Sequence, residues 1–172
     1  MRKIADELPI ISILGGTGKQ GYGLAMRWAK AGYKVCIGSR DHKKAILSAE
    51  KINELVSPVI PVIGSNNMEV ANLSRIAVLT VPASAQISVA DEIQDNIKGK
   101  ILIDVTVPLV PPKILRVQLP QNGSVVAKLQ SHLGDEIQVV SAFQNIAAHH
   151  LQDVEHDIDC DVLVCGNKKY AR

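Results

Sequence analysis

A chain of 172 residues, 47% of them hydrophobic, can bury one real core, which fits one domain of ordinary size. With 19 Lys and Arg against 17 Asp and Glu the net charge is +2, so neither a broad basic face for nucleic acid nor an acidic tail is expected. The single Trp and single Phe argue against base-stacking platforms, and the three cysteines, Cys36, Cys160 and Cys165, suit the reducing cytoplasm rather than a disulfide framework.

The opening segment carries Arg2, Lys3, Asp6 and Glu7 with no apolar stretch behind them, so it does not read as a secretory signal. No apolar run approaches the ~20 residues that cross a bilayer, so no membrane partner is expected. Ile10 to Leu14 is a buried-strand run that stops at a glycine cluster. Gly21 to Gly32 is a helix, with Leu24, Ala25, Trp28 and Ala29 at helical spacing and Gly32 as the terminating glycine. Lys34 to Gly38 is a second strand, and Asp41 is placed to cap a helix over Lys43 to Val56. Pro58 to Ile63 is a weaker third strand that Pro61 confines to an edge or makes irregular. Met68 to Leu73 is a short helix, Arg75 to Val81 a strong strand stopped by Pro82, Ser84 to Ile97 a helix, and Lys100 to Val105 a fifth strand. Pro108, Pro111 and Pro112 then break the chain into a loop. Ser124 to Leu133 is a helix ending at Gly134, Ile137 to Phe143 a strand, Asn145 to Leu151 a short helix, and Asp161 to Cys165 a last strand. This alternation predicts an α/β, Rossmann-like, doubly wound and mostly parallel sheet with helices on both faces, in one nucleotide-binding domain over residues 1–172.

Gly16, Gly18 and Gly21 fill the pattern G-x-G-x-x-G between the first strand and the first helix. Gly16 allows the tight turn, Gly18 lets backbone approach a pyrophosphate, and Gly21 lets the helix pack on the sheet. The helix N-terminus, with Thr17, Lys19 and Gln20 around it, then offers free amides to phosphate. The end of the second strand decides the dinucleotide. Asp or Glu there would accept from a ribose 2′-hydroxyl, but this chain has Gly38-Ser39-Arg40 and then Lys44. Ser39 can donate, Arg40 can fork onto a phosphate and Lys44 adds a point charge, so NADP(H) is the expected cofactor.

These residues resemble the NADP-dependent reductases of the deazaflavin coenzyme F-420. The likeness runs through Ala77 to Pro82, the proline loop Pro108-Leu109-Val110-Pro111, Val139 to Phe143 and Asp161 to Gly166. It implies an enzyme that transfers hydride between NADP(H) and the deazaflavin or a similar carrier, with a small-molecule redox partner. It also implies that Thr17, Ser39, Arg40 and Lys44 hold the 2′-phosphate, that Val81 and Pro82 back the dinucleotide, and that the stretch from Ala142 to Ala147 lies near the nicotinamide. The resemblance further implies helices beyond position 172 that build a homodimer and part of the second pocket.

Ligands of open α/β sheets sit at the carboxyl ends of the strands, where Val81, Pro82, Thr106, Pro108 and Asn145 should gather. Hydride transfer between two ring systems needs positioning and exclusion of water more than acid–base chemistry, which matches the lack of an obvious catalytic pair. Asp104 is read as a turn cap ahead of a base, and Cys36 as a small core residue. His149, His150, His156, Asp157 and Cys160 match no closed zinc spacing, and His149 and His150 are expected on different sides of a helix. A polar loop is therefore read there and no metal site. Two other functions stay open: a non-catalytic NADP(H)-binding sensor or electron-delivery module, and a small imine or carbonyl reductase.

Overall fold

A computed structural model describes residues 8–109, 116–121 and 123–167. Arg2, Lys3, Asp6 and Glu7, the loop residues Val110, Pro111 and Pro112, and the stretch 168–172 lie outside the described residues. The elements in chain order are β1 (Ile11–Leu14), α1 (Lys19–Lys30), β2 (Val35–Ser39), α2 (His42–Val56), β3 (Ile63–Asn66), α3 (Asn67–Leu73), β4 (Ile76–Leu79), α4 (Gln86–Ile93), β5 (Ile101–Asp104), α5 (Val125–Leu133), β6 (Gln138–Ser141), α6 (Ala148–Gln152) and β7 (Cys165–Gly166). They form one seven-stranded sheet in the order β3-β2-β1-β4-β5-β6-β7, parallel except for β7.

Alternation along the buried strands sends side chains to two cores. Ile11 and Ile13 join Val35 and Ile37 under α1, α2 and α6, where Leu24, Ile52 and Leu151 close the packing. Leu14, Leu79 and Leu102 face the other way, against Val70 of α3, Ile93 of α4 and Leu129 of α5. A sheet covered on both faces explains why its central strands read as continuous apolar runs. The helix ends follow local chemistry. Asp41 accepts from Lys44 N, Ser124 accepts from Ala127 N, and Gly32 and Gly134 take positive φ of 92° and 74° just past or at their helix ends.

The structure corrects three expectations. The third strand begins at Ile63, where the predicted one ends. Asn53 holds Val62 through a pair of bonds, Nδ2 to the carbonyl at 2.9 Å and amide to Oδ1 at 2.8 Å, so the stretch between the two prolines stays irregular. As predicted, this strand lies at the sheet edge. The last strand comprises only Cys165–Gly166 and runs antiparallel to Val140 and Ser141; Asp161 instead gives its carbonyl to Asn145 Nδ2 at 2.8 Å. His149 and His150, expected to diverge, lie with ring centroids 4.0 Å apart.

One further element positions the site. After β6 the chain turns at Phe143, whose φ of 68° is unusual for a side-chain-bearing residue, and then crosses α1. Arg27 of α1 holds that crossing by donating to the carbonyls of His150, Leu151, Asp153 and His156. Gly23 leaves α6 room to approach, since a Cβ there would stand 2.5 Å from Leu151 Cβ. Trp28 meets Phe143 edge-on with centroids 5.6 Å apart.

Candidate functional site: a two-part cleft at the strand ends

Strand order reverses at β1, which lies between β2 and β4, and the cleft opens at the carboxyl ends of these strands. The glycine turn forms its floor. Gly15, not Gly16, adopts the left-handed conformation, with φ of 72°. Gly16 is required for space instead: a Cβ there would stand 2.7 Å from Ile37 Cγ2 and 2.9 Å from the Ile13 carbonyl. Gly21 is closed in the same way, because a Cβ would meet the Thr80 hydroxyl and stand 2.8 Å from Gly16 Cα. Gly18 differs. The nearest atom to a Cβ there is Gly15 O at 3.4 Å, so its open side is available to a ligand. Gly18 also serves as the N-cap of α1 and brings no side chain to the first-turn amides, leaving those of Lys19, Gln20 and Gly21 without a helical acceptor.

Two cavities meet over this floor. The first, about 200 Å³, is lined by Gly15, Thr17, Gly18, Ser39, Arg40 and Asn67, with Thr80, Val81 and Pro82 on its far wall. The second, about 270 Å³, shares Thr80, Val81 and Pro82 and continues along Gln20, Thr106, Phe143, Gln144 and Ile146. Val105, Val107 and Leu109 give it apolar walls. In the first cavity Thr17 Oγ1 lies 3.5 Å from Ser39 Oγ, while Ser39 Oγ accepts from Asp41 N at 3.1 Å. Arg40 is exposed at the rim. Asp41, next in sequence, accepts from the α2 amide of Lys44 and is not part of the lining, to which Ser39 and Arg40 contribute a hydroxyl and a cation. A 2′-phosphate suits that donor set, and a pyrophosphate suits the open side of Gly18.

In the second cavity a buried polar cluster sets the β5 end. Asp104 is fully buried. It accepts from Thr106 N at 2.9 Å and from Gln86 Nε2 at 2.5 Å, and the Thr106 hydroxyl donates to it at 3.2 Å. Gln86 Nε2 also donates to Thr106 Oγ1 at 2.8 Å. Burial pushes the Asp104 carboxyl up, against the opposing hydrogen bonds from Thr106 and Gln86. Asp104 therefore ties the turn and fixes Thr106, in line with the cap reading.

Gln20 directs its side-chain amide to the carbonyls of Ile146 at 3.1 Å and Phe143 at 3.4 Å, so it bolts the glycine helix to the β6 turn. Lys19 and Lys44 are exposed in the first turns of α1 and α2, outside both linings. Ala142 and Pro108 are buried beneath the strand ends rather than in either wall. Asn145 and Ala147 line a separate cavity of about 270 Å³ with His150, His156 and Cys160. The neighbours Phe143, Gln144 and Ile146 take the expected place beside Thr106, because the turn at Phe143 shifts which side chains face the cleft. Asn67 and Thr80 were missed. Asn67 belongs to no motif, and Thr80 lies within the Ala77 to Pro82 stretch without being singled out; pairing β4 with β1 brings its hydroxyl to Leu14 O at 2.9 Å. Among the described residues no three His, Cys, Asp or Glu side chains gather as a metal site, and no helix is long and apolar enough to cross a membrane.

Comparison with known proteins agrees with this geometry. The family model described as NADP oxidoreductase, coenzyme F420-dependent, matches residues 10–108. The F420-dependent NADP reductase of Methanocaldococcus jannaschii is 39% identical over 168 residues, covering 94% of this chain and 74% of that protein. A solved structure from Arthrobacter sp. FB24, described as a candidate F420-dependent NADP-reductase, superposes with a TM-score of 0.77 at 25% identity, over 95% of this chain and 76% of the other. Plasmodium falciparum pyrroline carboxylate reductase, solved with NADP bound, has a TM-score of 0.59 at 18% identity, over 95% of this chain and 49% of the other, a likeness of fold. The chain belongs to the family of coenzyme F420-dependent NADP oxidoreductases.

Proposed function

We propose that this protein is an oxidoreductase that moves hydride between NADP(H) and the deazaflavin coenzyme F420. The observation that carries the reading is the junction of two cavities at Thr80, Val81 and Pro82, one walled by phosphate-binding groups and the other largely apolar. The nicotinamide ring supplies the hydride chemistry when bound. The chain's own task is placement. Amides of the α1 N-terminus and the open side of Gly18 receive the pyrophosphate, while Thr17, Ser39 and Arg40 take the 2′-phosphate and Lys44, in the first turn of α2, adds a positive charge. Val81 and Pro82 form the wall common to both ligands. Val105, Val107, Leu109, Phe143 and Ile146 exclude water from the ring system, and Thr106 presents a hydroxyl whose proton is committed to Asp104. The names of the relatives support the pairing of NADP with F420.

In this reading residues 1–172 are one NADP-binding Rossmann unit and work in the cytoplasm, which the free Cys36, Cys160 and Cys165 suit. A homodimer would draw on exposed apolar residues such as Leu119 and Leu163. The test is to mix the purified protein with NADPH and oxidised deazaflavin and follow absorbance. Loss of both absorbance bands in step supports the reading. A folded sample that binds NADPH but shows no transfer would refute the enzyme and leave a binding module.

A further inference from the structure

Asn67 is the first residue of α3 and is only 1% exposed. Its position is set from two sides. Oδ1 accepts from the Gly15 amide at 3.3 Å, across 52 residues of sequence. Its body lies flat on β2, where a Cβ at Gly38 would stand 2.7 Å from Asn67 Oδ1 and 3.1 Å from its Cα. This contact explains the glycine of Gly38-Ser39-Arg40: any side chain there would displace the asparagine. With Oδ1 committed to Gly15, the orientation of the amide is fixed and Nδ2 turns away from the glycine turn. Nδ2 finds no acceptor among the described residues. It is also not sealed, because the buried side-chain polar atom left without a partner among them is Ser74 Oγ. Asn67 shares a wall of the cleft with Thr17, Ser39 and Arg40. The β2–β3 register pairs Asn66 with Ser39, which puts Asn67 beside the Ser39–Arg40 end of the cleft.

We propose that Asn67 is a nucleotide-binding residue whose side-chain amide donates to the phosphorylated ribose of NADP(H) while its oxygen steadies the glycine turn. The inference rests on the NADP(H) reading above. One asparagine then links the two halves of the nucleotide site, so that Gly15 and Ser39 keep their spacing and the ligand gains a neutral donor beside Arg40. A carboxylate at this position would keep the bond from Gly15 and repel the phosphate.

Calorimetric titration of the full chain with NADP and with NAD tests it, using the unaltered protein, Asn67→Asp and Asn67→Ser, each checked by thermal melting. Asn67→Asp keeps the shape and the acceptor for Gly15 but replaces the donor by an anion. The Kd for NADP should rise about tenfold or more beyond any change for NAD. Equal losses for both nucleotides, or no loss for either, would overturn the proposal and leave Asn67 as a scaffold residue. If Asn67→Asp does not fold, Asn67→Ser, whose shorter side chain withdraws the amide donor from the ribose without adding charge, must show the same selective loss. An unaltered protein that shows no preference for NADP would refute the NADP(H) reading itself, a result distinct from failure at Asn67.

Discussion

Gly18 and Gly21 belong to one motif, yet alanine at each should have opposite consequences. At Gly18 the backbone sits at φ −75° and ψ 157°, which alanine adopts freely, and the nearest atom to a new Cβ is 3.4 Å away. Alanine is the poorer N-cap but has less entropy to lose on folding, so stability should stay within about 1 kcal/mol. The methyl group would nevertheless occupy the side from which a pyrophosphate approaches. Losing roughly two hydrogen bonds to charged oxygens, at about 1.5–3 kcal/mol each, would weaken NADP binding by more than about a hundredfold. At Gly21 the Cβ would run into the Thr80 hydroxyl and stand 2.8 Å from Gly16 Cα, which is backbone and cannot swing aside. Helix propensity returns about 1 kcal/mol, against an overpacking cost of about 1–3 kcal/mol or more. A net loss of about 1–2 kcal/mol would lower Tm by roughly 2–8 °C. Thermal melts paired with calorimetric titration of NADP read both quantities. A Gly18→Ala protein that melts early yet binds NADP normally would refute the assignment of Gly18 to ligand approach.

Arg40→Asp should weaken NADPH binding by at least about tenfold more than NADH binding, because repulsion replaces attraction at the 2′-phosphate; titration with both nucleotides measures it, and equal losses would count against the site. The Asp104 carboxyl titrates above its ordinary 3.8 in the folded chain, so the folded state binds that proton more tightly and the stability this group contributes is lost as pH rises through the folded value. Asp104→Asn removes this ionisation, and its Tm relative to the unaltered protein should improve as the pH is raised above the ordinary carboxyl value of 3.8; a flat difference would contradict the burial. Cys36 is fully buried with its thiol pushed up to about 11, so a thiol reagent at neutral pH should modify the exposed Cys160 and Cys165 and spare Cys36 until the protein unfolds, as peptide mass mapping would show.

Much of the fold was legible because its signals are local. The run Ile11–Leu14, the glycine turn and the capping residues Asp41 and Ser124 each state their structure within a few positions. The edges were less legible. A strand such as β3, with one neighbour and Gly64, Ser65 and Asn66 in its sequence, carries little hydrophobic pattern, and its start is set by the Asn53 side chain. In the site, Thr17, Gly18, Ser39 and Arg40 were named from the motif, and they line one cavity. Asn67 was not, because its role depends on a contact with Gly15 made across the sheet. Asn145 and Ala147 were misplaced by the left-handed turn at Phe143, which no residue pattern announces, since phenylalanine rarely adopts it.

Residues 15–21 and the end of β2 together are expected to hold a doubly phosphorylated nucleotide against the wall of Thr80, Val81 and Pro82. A crystal soaked with NADP would show this arrangement. The 2′-phosphate should lie between Ser39 and Arg40, the pyrophosphate over Gly18 and the first amides of α1, and the nicotinamide at the junction with the Thr106 cavity. Nucleotide density elsewhere, or a 2′-phosphate pointing away from Arg40, would contradict the account.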